Sequence, residues 1–366
     1  MYLAGLKFQL IMNKFRLYFT LLLTSIILFS CNKNDDDTTI APPRDLAEQY
    51  LSDIDSIEGY LKTHHLVKVE NNGLIDVVID SIPEGNPEGL ISIWDNTEFP
   101  LQSKIVKNDT RVSNLVDGAS LDPVDYKMYY VMLSEGVGQQ ATTVDSTFVS
   151  YRGWTLDNSE FDISNRPVWF TYPQISASEI AVISGFRQFT ALLKNGIATP
   201  DENGSGQITF SNYGSGVVFI PSGLGYFNRY QEKIPSYSPL VFTIRLHTIR
   251  ERDHDRDGVF TKFESLNNVD PYTVDTDGDN IPDFLDVDDD GDGFLTRREI
   301  TKPTGEGVPN TGASKYYPFN PIVDNPQTPG DETETRGIPS CDASDENLDG
   351  YTNPARLRKH LDPNCH

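Results

Sequence analysis

Between Asp45 and His65 apolar residues recur at three- and four-residue steps, at Leu46, Tyr50, Ile54, Ile57 and Leu61, with acidic residues between them. That period predicts an amphipathic helix. Beyond it, Val67-Lys68-Val69 and Ile75-Asp76-Val77-Val78-Ile79 read as strands, separated by the turn residues Asn71-Asn72-Gly73. Tyr126 to Leu133 predicts another strand, so residues 45–135 are expected to be a helix and strands that pack on, or lead into, the next domain. From Asp145 to Arg250 short strands with Gly and Pro punctuation dominate. Phe148 to Trp154 alternates, Val217 to Ile220 is apolar, and Leu240 to Ile249 makes a strong final strand. One helical interval intrudes at Gly185 to Lys194, with Phe186, Phe189, Leu192 and Leu193 on one side. This pattern predicts an α+β domain over 136–250, a curved antiparallel sheet wrapped on a short helix.

After Arg250 the composition changes. Sixteen acidic and five basic residues lie between Glu251 and Glu299, within a chain of 366 residues whose net charge is −24. A surface this acidic excludes nucleic acid, since phosphate binding needs cationic side chains. Clustered carboxylates suit hard cations such as calcium instead. Residues 301–366 read as a loop-rich tail, with a short helix expected at Asn353 to His360.

Spacing sharpens the cation reading. Asp253, Asp255, Asp257, Gly258 and Glu264 stand at positions 1, 3, 5, 6 and 12 of an EF-hand loop, and Asp288, Asp290, Asp292, Gly293 and Glu299 repeat the arrangement. Carboxylates at alternate positions converge only if the backbone turns sharply, which the sixth-position glycine permits. Between the loops, Asp275-Thr276-Asp277-Gly278-Asp279-Asn280-Ile281-Pro282-Asp283 resembles a thrombospondin type-3 repeat, with Asp283 and Asp286 shared by neighbouring sites. A fourth stretch, Asp345 to Gly350, lacks an acidic twelfth residue and reads equally as a turn. The expected cofactor is calcium, several ions in a structural role over 251–300; the competing reading is a solvated acidic linker. His254 and His360 read as surface polar groups.

At the start, Lys14 and Arg16 precede an apolar run from Leu17 to Phe29 that is shorter than the roughly 20 residues a membrane span needs. Leu28-Phe29-Ser30-Cys31 resembles a bacterial lipobox, which implies a signal peptide over 1–31 and lipid on Cys31. The polar stretch 32–44 reads as a tether, and its acidic run resembles the export tag of surface-exposed lipoproteins. With Cys31 lipidated, Cys341 and Cys365 remain as a pair, and an oxidising compartment makes a disulfide the expectation.

Several separated segments between 145 and 250 carry a family resemblance. Phe148-Val149-Ser150-Tyr151-Arg152-Gly153, Ser159-Glu160-Phe161-Asp162-Ile163-Ser164, Pro167-Val168-Trp169-Phe170 and Val182-Ile183-Ser184-Gly185-Phe186 occur in that order. Ile220 to Tyr226 and Ile234 to Phe242 come next. Together they resemble an FKBP-type peptidyl-prolyl cis-trans isomerase, a foldase that speeds rotation of X–Pro bonds. The resemblance implies pocket walls and floor from Tyr151, Phe161, Phe170, Val182, Ile183, Phe186, Ile234 and Phe242. It further implies that Asp162 orders the site by hydrogen bonding, and that the Tyr226 hydroxyl and Ile183 N–H meet substrate carbonyls. Phe186 stands where the family most often has Trp, Val168 replaces an aromatic, and Phe227 follows Tyr226 where Gly is usual. The implied partners are proline-containing segments of exported proteins, and the implied location is the outer membrane. Two other readings stay open: a binding module of this fold without turnover, and a calcium-dependent structural or adhesive lipoprotein.

Overall fold

The computed structural model describes residues 42–71, 74–110, 122–175, 179–180, 182–201, 206–264, 270–305, 314–323, 333–341, 349–353 and 355–365. Cys31, the signal peptide and residues 345–348 of the fourth acidic stretch lie outside them. Arg44–His366 form one compact unit. Among the described residues no helix is long and apolar enough to cross a membrane.

Helix α1 (Leu46–Thr63) starts at Asp45, whose carboxylate accepts the N–H groups of Ala47 and Glu48 at 2.9 and 3.0 Å, a side-chain cap for orphan donors. Strands β1 (His64–Asn71) and β2 (Leu74–Ser81) form an antiparallel hairpin of their own. Strands β3 (Leu101–Lys107) and β4 (Asp125–Ser134) come next, then β5 (Ser146–Thr155), β6 (Glu160–Phe170) and the short helix α2 (Ser184–Thr190). A small hairpin of β7 (Ile197–Pro200) and β8 (Ile208–Ser211) precedes β9 (Gly214–Ile220) and β10 (Leu240–Arg250). Six strands make one antiparallel sheet in the order β3-β4-β9-β10-β5-β6. The architecture is α+β, and the sheet draws strands from both sides of residue 135.

The sheet is covered on both faces at its centre, which explains the continuous apolar run of β9. Val218 and Ile220 face a core with Phe186, Phe189 and Phe242, while Val217 and Phe219 face a second core with Ile57 and Leu61 of α1. Alternate residues of one strand point to opposite faces, so a strand buried on both sides has no polar phase. Burying each such side chain stabilises by about 1.5–3 kcal/mol. Gly185 lets α2 approach β9 closely, because a Cβ there would lie 2.5 Å from the Ile220 side chain.

Two local expectations are corrected. The helix expected over Gly185 to Lys194 ends at Thr190. Past it the backbone pairs elsewhere: Lys194 N–H donates to Glu135 O at 2.8 Å and Ala141 N–H to Leu193 O at 3.0 Å. The two segments around Phe161 and Phe170 are one strand, β6, despite Pro167; as an edge strand it can spare a donor, and its register slips between Val149 and Tyr151. The short helix expected at Asn353 to His360 is replaced by single turns at α5 (Asp349–Thr352) and Lys359–Leu361. Arg356 instead bonds the carbonyls of Ile338 and Phe319.

The C-terminal region holds a third, small core of Val259, Ile300, Tyr317, Phe319, Ile338 and Tyr351. Two of its one-turn helices, α3 (Thr261–Glu264) and α4 (Thr296–Glu299), each end an acidic loop. Cys341 and Cys365 are disulfide-bonded, with Cα atoms 5.6 Å apart.

Candidate functional site

A cleft of about 460 Å³ opens between β5, β6, the start of α2 and the loop after β9. It is lined by Tyr151, Phe161, Asp162, Phe170, Val182, Ile183, Phe186, Tyr226, Ile234 and Phe242, with Gln231, Glu232 and Lys233 among its other lining residues. Phe186 forms the floor. It is 2% exposed and meets Tyr151, Phe170 and Phe242 edge-to-face, with centroids 5.6, 5.6 and 5.3 Å away. Phe161 stands against Phe242 at 5.3 Å and 81°. The two rings meet over Gly153, where a Cβ would lie 2.6 Å from each. Val168, where the resembled family has an aromatic, packs against the same core.

Polar groups from Tyr151, Asp162 and Tyr226 join the aromatic walls. Tyr151 donates its hydroxyl to Asp162 Oδ2 at 2.7 Å, and burial followed by the Asp162 contact pushes the Tyr151 phenol well up. The Tyr226 phenol is also raised, chiefly by burial and then by the charge of Asp162. Its hydroxyl has no hydrogen-bond partner among the described residues, and neither has the Ile183 N–H. Such a site offers aromatic walls with the Tyr226 hydroxyl and the Ile183 N–H as donors beside the polar Gln231, Glu232 and Lys233, which suits gripping a carbonyl-bearing apolar group rather than moving protons.

The loop carrying Tyr226 is held from below by α1, a feature that periodicity did not signal. Asp53, 2% exposed, accepts the Ser222 N–H at 2.7 Å, the Ser222 hydroxyl at 2.6 Å and the Gln49 amide at 2.7 Å. Phe227 takes a φ of +50°, the left-handed region where Gly is usual in the resembled family, and is fixed there. Its N–H donates to Ser222 O at 2.9 Å and its ring packs edge-to-face on Tyr237 at 5.2 Å. Removing the acceptor, Asp53→Ala, strands two buried donors on Ser222 and is expected to cost about 2–4 kcal/mol in urea unfolding. Burial raises the Asp53 carboxyl in spite of the Ser222 and Gln49 bonds. Its contribution is thus fully present below the unfolded pKa near 4 and lost as pH rises through the folded value. The gap in melting temperature between wild type and Asp53→Asn should therefore be wider at about pH 4 than at about pH 7.

A second set of residues lies in the acidic loops. Asp253, Asp255 and Asp257 each offer an oxygen within 4.8 Å of the others, as do Asp275, Asp277 and Asp279, and Asp288, Asp290 and Asp292. Two oxygens on one calcium ion sit no more than about 5 Å apart, so these spacings fit. Gly258 and Gly293 turn the loops at φ +107° and +88°. Buried oxygens of Asp253, Asp255, Asp257, Asp288 and Asp290, and both oxygens of Glu264 and Glu299, have no hydrogen-bond partner among the described residues. Unpaired buried carboxylates are costly, and an all-oxygen set suits calcium or magnesium. Burial, then neighbouring Asp255 and Asp257, pushes Glu264 well up, and burial followed by Asp290 and Asp292 pushes Glu299 up to about 8.

Not every predicted ligand joins these groups. Asp283 is occupied by the Thr276 N–H and hydroxyl at 2.8 and 2.7 Å. Asp286 caps the N–H groups of Val287 and Asp288 at 2.7 and 3.0 Å. His254 and His360 are not surface groups: they are 7% and 1% exposed, and burial lowers their pKa values to about 4 and about 3. Sequence reasoning missed Asp289, which is 1% exposed and whose oxygens also have no hydrogen-bond partner among the described residues. Burial, then Asp257, raises it to about 10.

No curated protein matches the chain. Among solved structures, FkpA from Escherichia coli is 25% identical at a TM-score of 0.26, covering 34% of this chain and 48% of its own, so the chain spans about half of that protein's length. A peptidyl-prolyl cis-trans isomerase from Pseudomonas syringae pv. tomato is 23% identical (TM-score 0.26; 38% and 80% covered), and the N-terminal domain of FKBP42 from Arabidopsis thaliana is 16% identical (0.27; 39% and 100%). A family model described as BamM C-terminal matches residues 250–330, the segment of the carboxylate loops and not of the cleft.

Proposed function

We propose that this chain is an FKBP-type peptidyl-prolyl isomerase of the bacterial cell envelope, held at the outer membrane by lipid on Cys31, with an acidic region stiffened by calcium. One observation carries the enzymatic part: ten side chains from six separated segments, between Tyr151 and Phe242, line a single aromatic cleft. Rotation about a peptide bond faces about 18–20 kcal/mol because amide resonance is lost on twisting. An apolar cleft favours the less polar twisted imide, and donors that bond it more strongly than either planar form accelerate the exchange. Two such bonds, from Tyr226 and Ile183, would supply about 2–3 kcal/mol, or roughly 30- to 150-fold. The match of residues 250–330 to the BamM C-terminal family supports placing the protein with the outer membrane. In the calcium-binding region, the loops at Asp253–Glu264 and Asp288–Glu299 would each hold an ion, and the orphaned oxygens support that.

A proline-isomerisation assay on a short X–Pro peptide tests the reading. Wild type should accelerate exchange, and Tyr226→Phe should lower kcat/KM about tenfold, the value of one hydrogen bond. Peptide binding without acceleration would instead favour the binding-module reading.

A further inference from the structure

We propose that Asp289, the second residue of the second loop, ligates the cation of the first loop alongside Asp257 and Glu264, so that the two loops load as a coupled pair. This deepens the calcium reading and rests on it. The three carboxylates are 1%, 2% and 8% exposed, and each offers an oxygen within 4.8 Å of the others. Both oxygens of Asp289, both of Glu264 and one of Asp257 lack a hydrogen-bond partner among the described residues. Three buried carboxylates facing one another repel; the Val259 N–H bonds only the other oxygen of Asp257, at 2.7 Å, and a divalent cation would relieve the rest. His360 has its Nε2 4.0 Å from Asp289 Oδ2, too far for a hydrogen bond, and burial keeps its ring neutral. Arg297 is turned to the Arg256 carbonyl and the Tyr316 hydroxyl, at 3.0 and 3.1 Å.

The first loop also leaves a place for an outside ligand. Its ninth residue, Thr261, has its hydroxyl 2.8 Å from His254 Nδ1. An EF-hand often fills that ninth place through a water. Asp289 belongs to the second loop by its backbone, since its N–H donates to Thr296 Oγ1 at 3.3 Å. Its neighbours Asp288 and Asp290 point to the second group of carboxylates. An ion that fixes the Asp289 side chain therefore also fixes the backbone from which the second loop's ligands project.

Calcium titration calorimetry on the full chain, with Asp289→Asn, Glu264→Gln and the double variant, tests this. Asp289→Asn should weaken one class of site by about tenfold or more, and should add nothing in the Glu264→Gln background, because both residues serve one ion. Melting gives a second readout of opposite sign. Without calcium, Asp289→Asn relieves repulsion and should raise the midpoint; with about 10 mM calcium, tenfold or more above extracellular-type Kd values, the calcium-induced rise should shrink. Unchanged affinities, an equal loss in both backgrounds, or an equal fall in midpoint with and without calcium would overturn the assignment of Asp289 alone. Absence of any calcium uptake by wild type would remove the calcium reading itself, and this inference with it.

Discussion

Chelation by EDTA is expected to destabilise residues 251–365 strongly while the six-stranded sheet keeps its stability. Among the described residues the acidic region's core cluster holds six buried apolar residues, against sixteen acidic side chains in its first stretch. Without cations the carboxylates repel at short range, and among the described residues the oxygens of Glu264 and Glu299 stay buried without hydrogen-bond partners. Each ion bound at a hundredfold excess over its Kd stabilises by about 2.7 kcal/mol, so two full loops contribute about 5 kcal/mol. That equals the stability of many whole domains. In calorimetry a low transition should fall by about 20 °C or more on chelation, with the sheet's transition unmoved. A single transition indifferent to EDTA would count against the metal reading. Protons can partly replace the ion. In the metal-free fold Asp289 and Glu299 are raised to about 10 and about 8, so their contribution is fully present below an unfolded pKa near 4 and is lost as pH rises through those values. The metal-free region should thus melt higher at about pH 5 than at about pH 8, and calcium should flatten that dependence.

How far the sequence led depended on how local each feature is. Helix α1 and the strands β4, β5 and β10 were legible because their apolar periods are long and unbroken. The overlong reading of α2 failed because Leu192 and Leu193 keep the apolar phase while the Leu193 carbonyl and the Lys194 N–H are bonded across to Ala141 and Glu135. Periodicity cannot see such a partner. β6 carries Pro167, which would break a central strand but is tolerated at an edge. The convergence of Tyr151, Phe161 and Tyr226 was not readable from pattern at all; only the family resemblance placed them together. In the acidic region the loop spacing named most carboxylates, yet Asp289 fell at a position the motif leaves blank. Its importance comes from the packing of one loop on another. Asp53 was likewise hidden: an acidic residue on an amphipathic helix reads as solvent-facing until the loop at Ser222 covers it.

Truncating Phe161 to Ala should lower kcat/KM for X–Pro isomerisation by about 30- to 100-fold, or about 2–2.7 kcal/mol, with little loss of fold. The ring is only partly buried, so its removal should cost about 1 kcal/mol of stability rather than the 3–5 kcal/mol expected for a fully buried Phe. Phe186, at 2% exposed and touching three rings, is the contrasting case; Phe186→Ala should lose activity by unfolding. At Phe161 the missing wall would remove contact with a proline ring worth about 1.5–3 kcal/mol and admit water beside Phe242. The partition between constants separates the two rival uses of the cleft. If the wall favours the twisted imide over the planar forms, kcat falls; if it only grips the ring, KM rises and kcat holds. A kcat/KM within twofold of wild type, in a variant whose melting temperature is unchanged, would mean that catalysis does not run through this cleft.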